Sequence, residues 1–239
     1  MSETTPTTTT RPGEAGARTA ASVRPVDGGT FEAVLFDMDG TLVDSTASVV
    51  RSWLRLAQEH GVSTSDLQAA AGHGRPARDI VADLFPPAGR PAAVRRITDL
   101  EVGDVHDVVA LPGAEAALVA CGPAGAIVTS CAADLAVVRQ QAAGIPVPAV
   151  VVTADDVDNG KPHPEPFLLA ARILGVRPER CLVVEDAPAG LAAGRAAGMT
   201  TLAVTTTHDA DALDADHVVV DLAAVAIRRT AAGVLVTLA

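Results

Sequence analysis

The chain predicts a doubly wound α/β fold, a parallel sheet covered by helices on both faces, with a small α-helical unit inserted after its first strand. Three observations carry this. Beyond Leu111-Pro112-Gly113, apolar runs of about four residues alternate with segments of helix period, the pattern of strands buried on both faces and joined by helical crossovers. Residues 31–45, FEAVLFDMDGTLVDS, end the β-forming run Val34-Leu35-Phe36 in two acids, Asp37 and Asp39, followed by Gly40 and Thr41. Between 46 and 109 helical patterns recur with no convincing strand.

The elements follow in order. Residues 1–29 are rich in Thr, Pro, Gly and Ala with no apolar periodicity, the composition of a disordered tail. Their lack of an apolar stretch argues against a secretory signal. After Asp44 and Ser45, read as caps, Val49, Trp53, Leu56 and Ala57 share one helix face up to His60-Gly61. Further helices are expected near 65–71, 76–85 and 91–106, with Trp53 in the core of this unit. The expected division is therefore a tail (1–29), a sheet-forming core (30–45 and 110–239) and a helical cap (46–109). Within the core, strands are expected at 126–128, 149–152, 181–184 and 201–204, with helices up to Cys121 and at 133–143, 165–175 and 188–197. Gly190, Gly194 and Gly198 read as packing and terminating residues. Val218-Val219-Val220 and a pair around 225–237, turning near Ala232-Gly233, either finish the sheet or form an edge hairpin.

With 239 residues, 49% of them hydrophobic, the chain can bury a large core. Its net charge of −11 repels phosphate polymers and anionic membranes, so no nucleic-acid or membrane partner is expected, and no protein partner is predicted. No apolar run is long enough to span a bilayer. Cys121, Cys131 and Cys181 lack metal or redox spacing and read as reduced thiols of a cytoplasmic protein. Among the 18 basic residues only Lys161 is lysine, which marks it for a task arginine cannot perform.

Parallel strands joined by right-handed crossovers bring their C-terminal ends to one edge, where such sheets bind ligands. Residues just past the strands can thus be gathered into one site: Asp37 and Asp39, Thr129 and Ser130, the loop holding Lys161, and Glu185 with Asp186. The acids Asp37, Asp39, Glu185 and Asp186 suit a hard oxygen-liganded cation such as Mg²⁺. A hydroxyl, turn amides and one ammonium suit a phosphoryl group. A carboxylate at its reference pKa of about 4 is ionised at neutral pH, so Asp37 can act as a nucleophile without a base, provided cations offset its repulsion of a phosphate dianion. Asp39 can protonate the leaving alkoxide and then deprotonate the attacking water.

From about residue 31 to 222 the chain resembles the haloacid dehalogenase superfamily of phosphotransferases. Asp37-Met38-Asp39-Gly40-Thr41, Thr129, Lys161 in Asn159-Gly160-Lys161-Pro162-His163-Pro164-Glu165-Pro166-Phe167, and Glu185-Asp186 are similar to its four motifs in order. GKPHPEPF, VVEDAPAGLAAGRAAG and HGRPA further resemble the branch of sugar- and polyol-phosphate phosphatases and β-phosphoglucomutase. The resemblance implies a Rossmann-like core with a cap that closes over substrate. It implies Asp37 as nucleophile and Asp39 as acid and base. Mg²⁺ would sit on Asp37, Asp186 and the Asp39 main-chain carbonyl, and Thr129 and Lys161 on the phosphoryl group. The loop Gly72-His73-Gly74-Arg75 would meet the substrate, with Arg75 on its oxygens, although a solvated turn fits the same residues. His163, between two prolines, is read as shaping its loop.

Departures narrow the activity. Halide-removing members lack the second acid, because their ester intermediate leaves no alkoxide to protonate; Asp39 is present here. Phosphonate-cleaving members need a cap lysine, and residues 45–110 have none. The mutase has a histidine where this chain has Val49. The expectation is an Mg²⁺-dependent phosphatase for small sugar or polyol phosphates working through an aspartyl-phosphate; the alternatives are a sugar-phosphate mutase and a non-catalytic phosphate-ligand sensor.

Overall fold

The computed structural model describes residues 29–70 and 74–238, together with Met1. The chain enters through β1 (Gly29–Phe31) and β2 (Ala33–Phe36), passes the two-residue β3 (Val43–Asp44), and runs through α1 (Thr46–His60), α2 (Thr64–Ala70), α3 (Ala77–Leu84) and α4 (Arg90–Val102). A second short strand, β4 (Val109–Ala110), returns antiparallel to β3. There follow α5 (Ala114–Cys121), β5 (Gly125–Val128), α6 (Ala133–Ala143), β6 (Val150–Val152), α7 (Glu165–Leu174), β7 (Cys181–Glu185), α8 (Pro188–Ala196), β8 (Thr200–Val204) and β9 (His217–Val219). The hairpin β10 (Val225–Thr230) and β11 (Gly233–Leu238) ends the described chain.

Six strands pair in parallel in the order β6-β5-β2-β7-β8-β9. Every residue of the central β2 is buried. Its side chains alternate between two cores, as period two requires. Val34 and Phe36 pack with Ile127, Leu182, Val184, Leu202 and residues of α5 and α6. Ala33 and Leu35 pack with Ala126, Val128, Val183 and, from α7, Phe167. Complete burial of a side chain such as Phe36 or Phe167 contributes roughly 1.5–3 kcal/mol. This is the doubly wound α/β arrangement that the apolar runs predict. From β2 the chain fills one side of the sheet with β5 and β6, then reverses to the other with β7, β8 and β9. The crevice at that reversal opens beyond the carboxyl end of β2.

Helices α1–α4 close a core of their own around Trp53, Leu56, Leu67, Ile80, Val81, Phe85 and Ile97. None of the described helices is long and apolar enough to cross a membrane.

Several expectations are corrected. The strand that opens the described chain begins at Gly29, a residue assigned to the tail; residues 2–28 lie outside the described residues. The helix expected to reach 106 ends at Val102, where Gly103 follows and Arg51 draws the Asp104 and Asp107 carboxylates to 2.7 Å. Of the two endings left open at the C-terminal side, Val218 and Val219 finish the parallel sheet in β9, while the closing pair, β10 and β11, forms a hairpin. It joins β1 in a separate antiparallel sheet, order β1-β11-β10, whose Val234 and Val236 are buried in the first core. Strands β3 and β4 were not expected, because two residues each are too few to show a period.

Candidate active site

The sheet edge gathers the residues that topology collects there. Asp37 follows Phe36 at the end of β2, and its backbone N–H donates to the Val184 carbonyl at 2.9 Å, so the acid stays in register with the neighbouring strand. Thr129 and Ser130 follow β5, Glu185 ends β7 and Asp186 follows it. Lys161 arrives on the loop between β6 and α7. Glu165, at the start of α7, folds that loop by accepting from the Asp158 and Asn159 backbone N–H groups at 3.0 and 3.1 Å. His163 Nδ1 accepts from the Glu165 N–H at 3.3 Å, a loop-shaping contact.

Lys161 has no exposed surface. Its ammonium donates to Asp37 Oδ1, to the Val128 carbonyl at 2.8 Å and to Glu185 Oε1 at 2.7 Å, so all three protons are used. Burial alone would depress its pKa, but Asp37 and Glu185 more than offset that and hold it charged. The other oxygen of Glu185 accepts from the Asp186 and Ala187 N–H groups, each at 3.0 Å. Gly190 makes room for this carboxylate, since a Cβ there would overlap Glu185 Oε1.

Asp186 receives Thr41 Oγ1 on Oδ1 at 3.2 Å and the Thr207 hydroxyl on Oδ2. Gly40, at φ +88°, lets Asp186 approach; a Cβ there would collide with Oδ2. Ligand atoms of the buried carboxylates Asp37, Glu185 and Asp186 lie within 4.8 Å of one another. Three carboxylates against one ammonium leave two negative charges uncompensated. Burial, with repulsion from Asp37 next, pushes Asp186 up to about 7. Burial likewise raises Asp37 despite Lys161, with Glu185 and Asp39 adding repulsion. Burial thus works against the ionisation expected of Asp37 at its reference pKa, and an added cation would favour its carboxylate form. The residues present fit a divalent, oxygen-liganded ion such as Mg²⁺.

Of this cluster Asp37 also borders a cavity of about 110 Å³, lined further by Asp39, Thr129, Ser130 and, from the helical segment, Val49, Trp53, Gly74, Arg75 and Glu101. Thr129 Oγ1 accepts from the Cys131 N–H at 3.2 Å, and Ser130 Oγ donates to the Gly74 carbonyl at 2.7 Å. Arg75 lines the cavity, but its guanidinium pairs with Asp83 at 2.9 Å and reaches the Ala70 carbonyl at 3.2 Å. His73 lies outside the described residues.

Asp39 stands apart from the three clustered acids. Its Oδ1 accepts from Ser45 Oγ at 2.7 Å and from Arg139 at 2.9 Å. The cap role assigned to Ser45 is thereby corrected: its hydroxyl is drawn to Asp39, and Asp44 Oδ1 accepts from the Thr46 N–H at 3.0 Å. Sequence reasoning missed Arg139, Glu101, Thr206 and Thr207. The two threonines follow β8, so the strand-end rule would have found them. Thr206 donates to the Gly40 carbonyl. Arg139, at 3% exposure, reaches Glu101 Oε1 at 3.4 Å. Burial, partly offset by Arg139, pushes Glu101 up to about 7. Arg139 lies inside α6 and Glu101 inside α4, where charged residues read as solvated faces, and no sequence signal marks either.

Acid pairs and a fully buried lysine at the edge of a doubly wound α/β sheet fit a hydrolase of phosphoric monoesters. Comparison with known proteins agrees. Residues 31–198 match the model of the haloacid dehalogenase-like hydrolases, and the chain belongs to that family. It is 41% identical over 188 residues to hexitol phosphatase A of Escherichia coli (strain K12), covering 75% of this chain and 86% of that one. It is 36% identical over 207 residues to validoxylamine A 7'-phosphate phosphatase of Streptomyces hygroscopicus subsp. limoneus, covering 80% and 94%. A hydrolase from Pseudomonas syringae superposes with a TM-score of 0.74 at 25% identity, covering 80% of this chain and 94% of that structure.

Proposed function

We propose that the protein is an Mg²⁺-dependent phosphatase for small sugar or polyol phosphate monoesters, acting through a phosphorylated Asp37. The observation that carries this reading is Lys161, buried and bridging Glu185 to Asp37, which lines one cavity with Asp39 and Thr129. The phosphatase names of the relatives support the substrate class.

Mg²⁺ would be held by Asp37, Asp186 and the Asp39 main-chain carbonyl, and supplies neutralising charge for the phosphoryl oxygens. Glu185, with both oxygens engaged, holds Lys161 in place. Lys161 would turn the proton it gives Asp37 toward a non-bridging oxygen as substrate enters, keeping Val128 and Glu185, and the Thr129 hydroxyl would bind another, so the Asp37 carboxylate attacks phosphorus without rejecting the dianion. The P–O bond to the substrate alcohol breaks as that to Asp37 forms. Asp39 gives its proton to the departing alkoxide, then takes one from the water that attacks the acyl phosphate, which regenerates Asp37 and releases inorganic phosphate.

Residues 46–109 serve as a cap that excludes bulk water. Ser130 on Gly74 and Arg78 on the loop before Lys161 hold it against the sheet edge. Val49 lines the cavity at the position where the mutase carries a histidine, which favours water over a second sugar hydroxyl as acceptor.

Wild type should release phosphate from hexose, hexitol or glycerol phosphates with Mg²⁺. Asp37→Asn should lose at least about three orders of magnitude in turnover. Acid-quenched wild type should carry phosphate on the peptide containing Asp37. An active Asp37→Asn protein would refute the covalent route, and conversion of glucose 1-phosphate to glucose 6-phosphate without phosphate release would favour the mutase.

A further inference from the structure

Beside Asp39 the cavity carries a pair of charged residues to which the mechanism above gives no part. Arg139 comes from α6 and Glu101 from α4, and both face the cavity although they are only 3% and 6% exposed. Arg139 spends one terminal nitrogen on Asp39 at 2.9 Å and the other on Glu101 at 3.4 Å, and its buried Nε has no hydrogen-bond partner. Glu101 gives Oε1 to Arg139, and among the described residues no donor reaches its Oε2. The buried Arg139 Nε–H without a partner is costly as it stands, and Glu101, which lines the cavity, has Oε2 to offer a ligand hydroxyl.

Charge on this wall decides what kind of ligand fits. Arg139 contributes one positive charge, Asp39 and Glu101 one negative charge each when ionised. Arg75, the other cavity-lining cation, is paired with Asp83. The wall therefore offers donors and acceptors but no surplus positive charge. From the helical segment Val49, Trp53 and Ile80 add apolar lining. An alcohol with several hydroxyls, each both donor and acceptor, complements such a surface; a second phosphate or a carboxylate would face two acids with one cation already shared between them.

We propose that Arg139 and Glu101 are the specificity-determining residues of the leaving-group subsite. They hold hydroxyls of an uncharged polyhydroxy alcohol and disfavour esters whose alcohol carries a carboxylate or a second phosphate. This rests on the phosphatase reading above and names the part of the substrate that the reading leaves open.

The test compares kcat/KM of wild type, Glu101→Gln and Glu101→Ala on three esters: a hexitol 6-phosphate, 4-nitrophenyl phosphate, whose leaving group has no further hydroxyl, and 2-phosphoglycolate, whose leaving group carries a carboxylate. Wild type should prefer the hexitol phosphate to phosphoglycolate. In Glu101→Ala the ratio of hexitol to nitrophenyl ester should fall about 10- to 100-fold, the size of one or two hydrogen bonds to a charged group. In the isosteric Glu101→Gln, which keeps the packing, phosphoglycolate should gain on the hexitol phosphate by about tenfold as one repelling charge is removed. Equal loss on all three esters in both variants would make Glu101 merely structural and overturn the proposal. A wild type that hydrolyses phosphoglycolate as well as the hexitol ester would overturn it too. A wild type that releases phosphate from none of them, the nitrophenyl ester included, would instead strike the phosphatase reading and take this one with it.

Discussion

At the scale of single residues, the informative position is Lys161, where a chain that otherwise uses arginine does not. Its ammonium meets three acceptors around one point in a space with no exposure. A planar guanidinium cannot donate in three diverging directions from one atom. Replacing it by methionine should keep the volume but leave Asp37 and Glu185 facing each other uncompensated. Breaking a buried pair in this way typically costs about 3–5 kcal/mol, so Lys161→Met should unfold at markedly lower urea in the absence of Mg²⁺; an unchanged midpoint would contradict the bridging role. Which residues could be read from the sequence follows from where they sit. Asp37, Thr129, Lys161 and Asp186 stand just past strands, and topology alone brings strand ends together. Arg139 and Glu101 sit mid-helix, and only the packing of α4 against α6, which no periodicity encodes, makes them neighbours. The raised pKa of Asp37 was unreadable for a related reason, since burial is a property of the fold and not of the motif.

At the scale of elements, the link between α3 and the lysine loop stands out. Arg78 of α3 donates to the Ala154 and Val157 carbonyls, each at 3.2 Å, and to the Asp158 carbonyl at 2.9 Å. One side chain of the helical segment thus satisfies three carbonyls of the loop leading to Lys161. Arg78→Ala should loosen that loop and raise KM for a sugar phosphate about tenfold, the size of one charged hydrogen bond, with faster amide exchange at 154–160. An unaltered KM and exchange pattern would show that the helical segment is held by other contacts. Helices and parallel strands were readable because period-3.6 stripes and continuous apolar runs such as Ala126-Ile127-Val128 state burial directly. The antiparallel sheet of β1, β10 and β11 was not, because a strand that alternates buried Val234 and Val236 with half-buried neighbours fits either an extension of the sheet or a separate layer.

At the scale of the whole molecule, folding brings together acids that would rather be apart. With no cation added, Asp186 shifts from 3.8 to about 7. The folded state then binds more protons than the unfolded chain between those values. Stability without metal should be greatest at the acid end of that window and fall as pH rises toward 7. Mg²⁺ competes with these protons, so its affinity should rise as pH increases through about 7, and binding should release protons, seen by calorimetry in two buffers of different ionisation heat. Metal binding independent of pH from 6 to 8 would contradict the carboxylate assignment. The solitary lysine has a last consequence. Apart from an α-amine, the sequence offers an acylating reagent a single amine, and the fold seals it from solvent. The rate at which that amine becomes labelled would therefore clock the local opening of the sheet edge around it, with no probe needing to be installed.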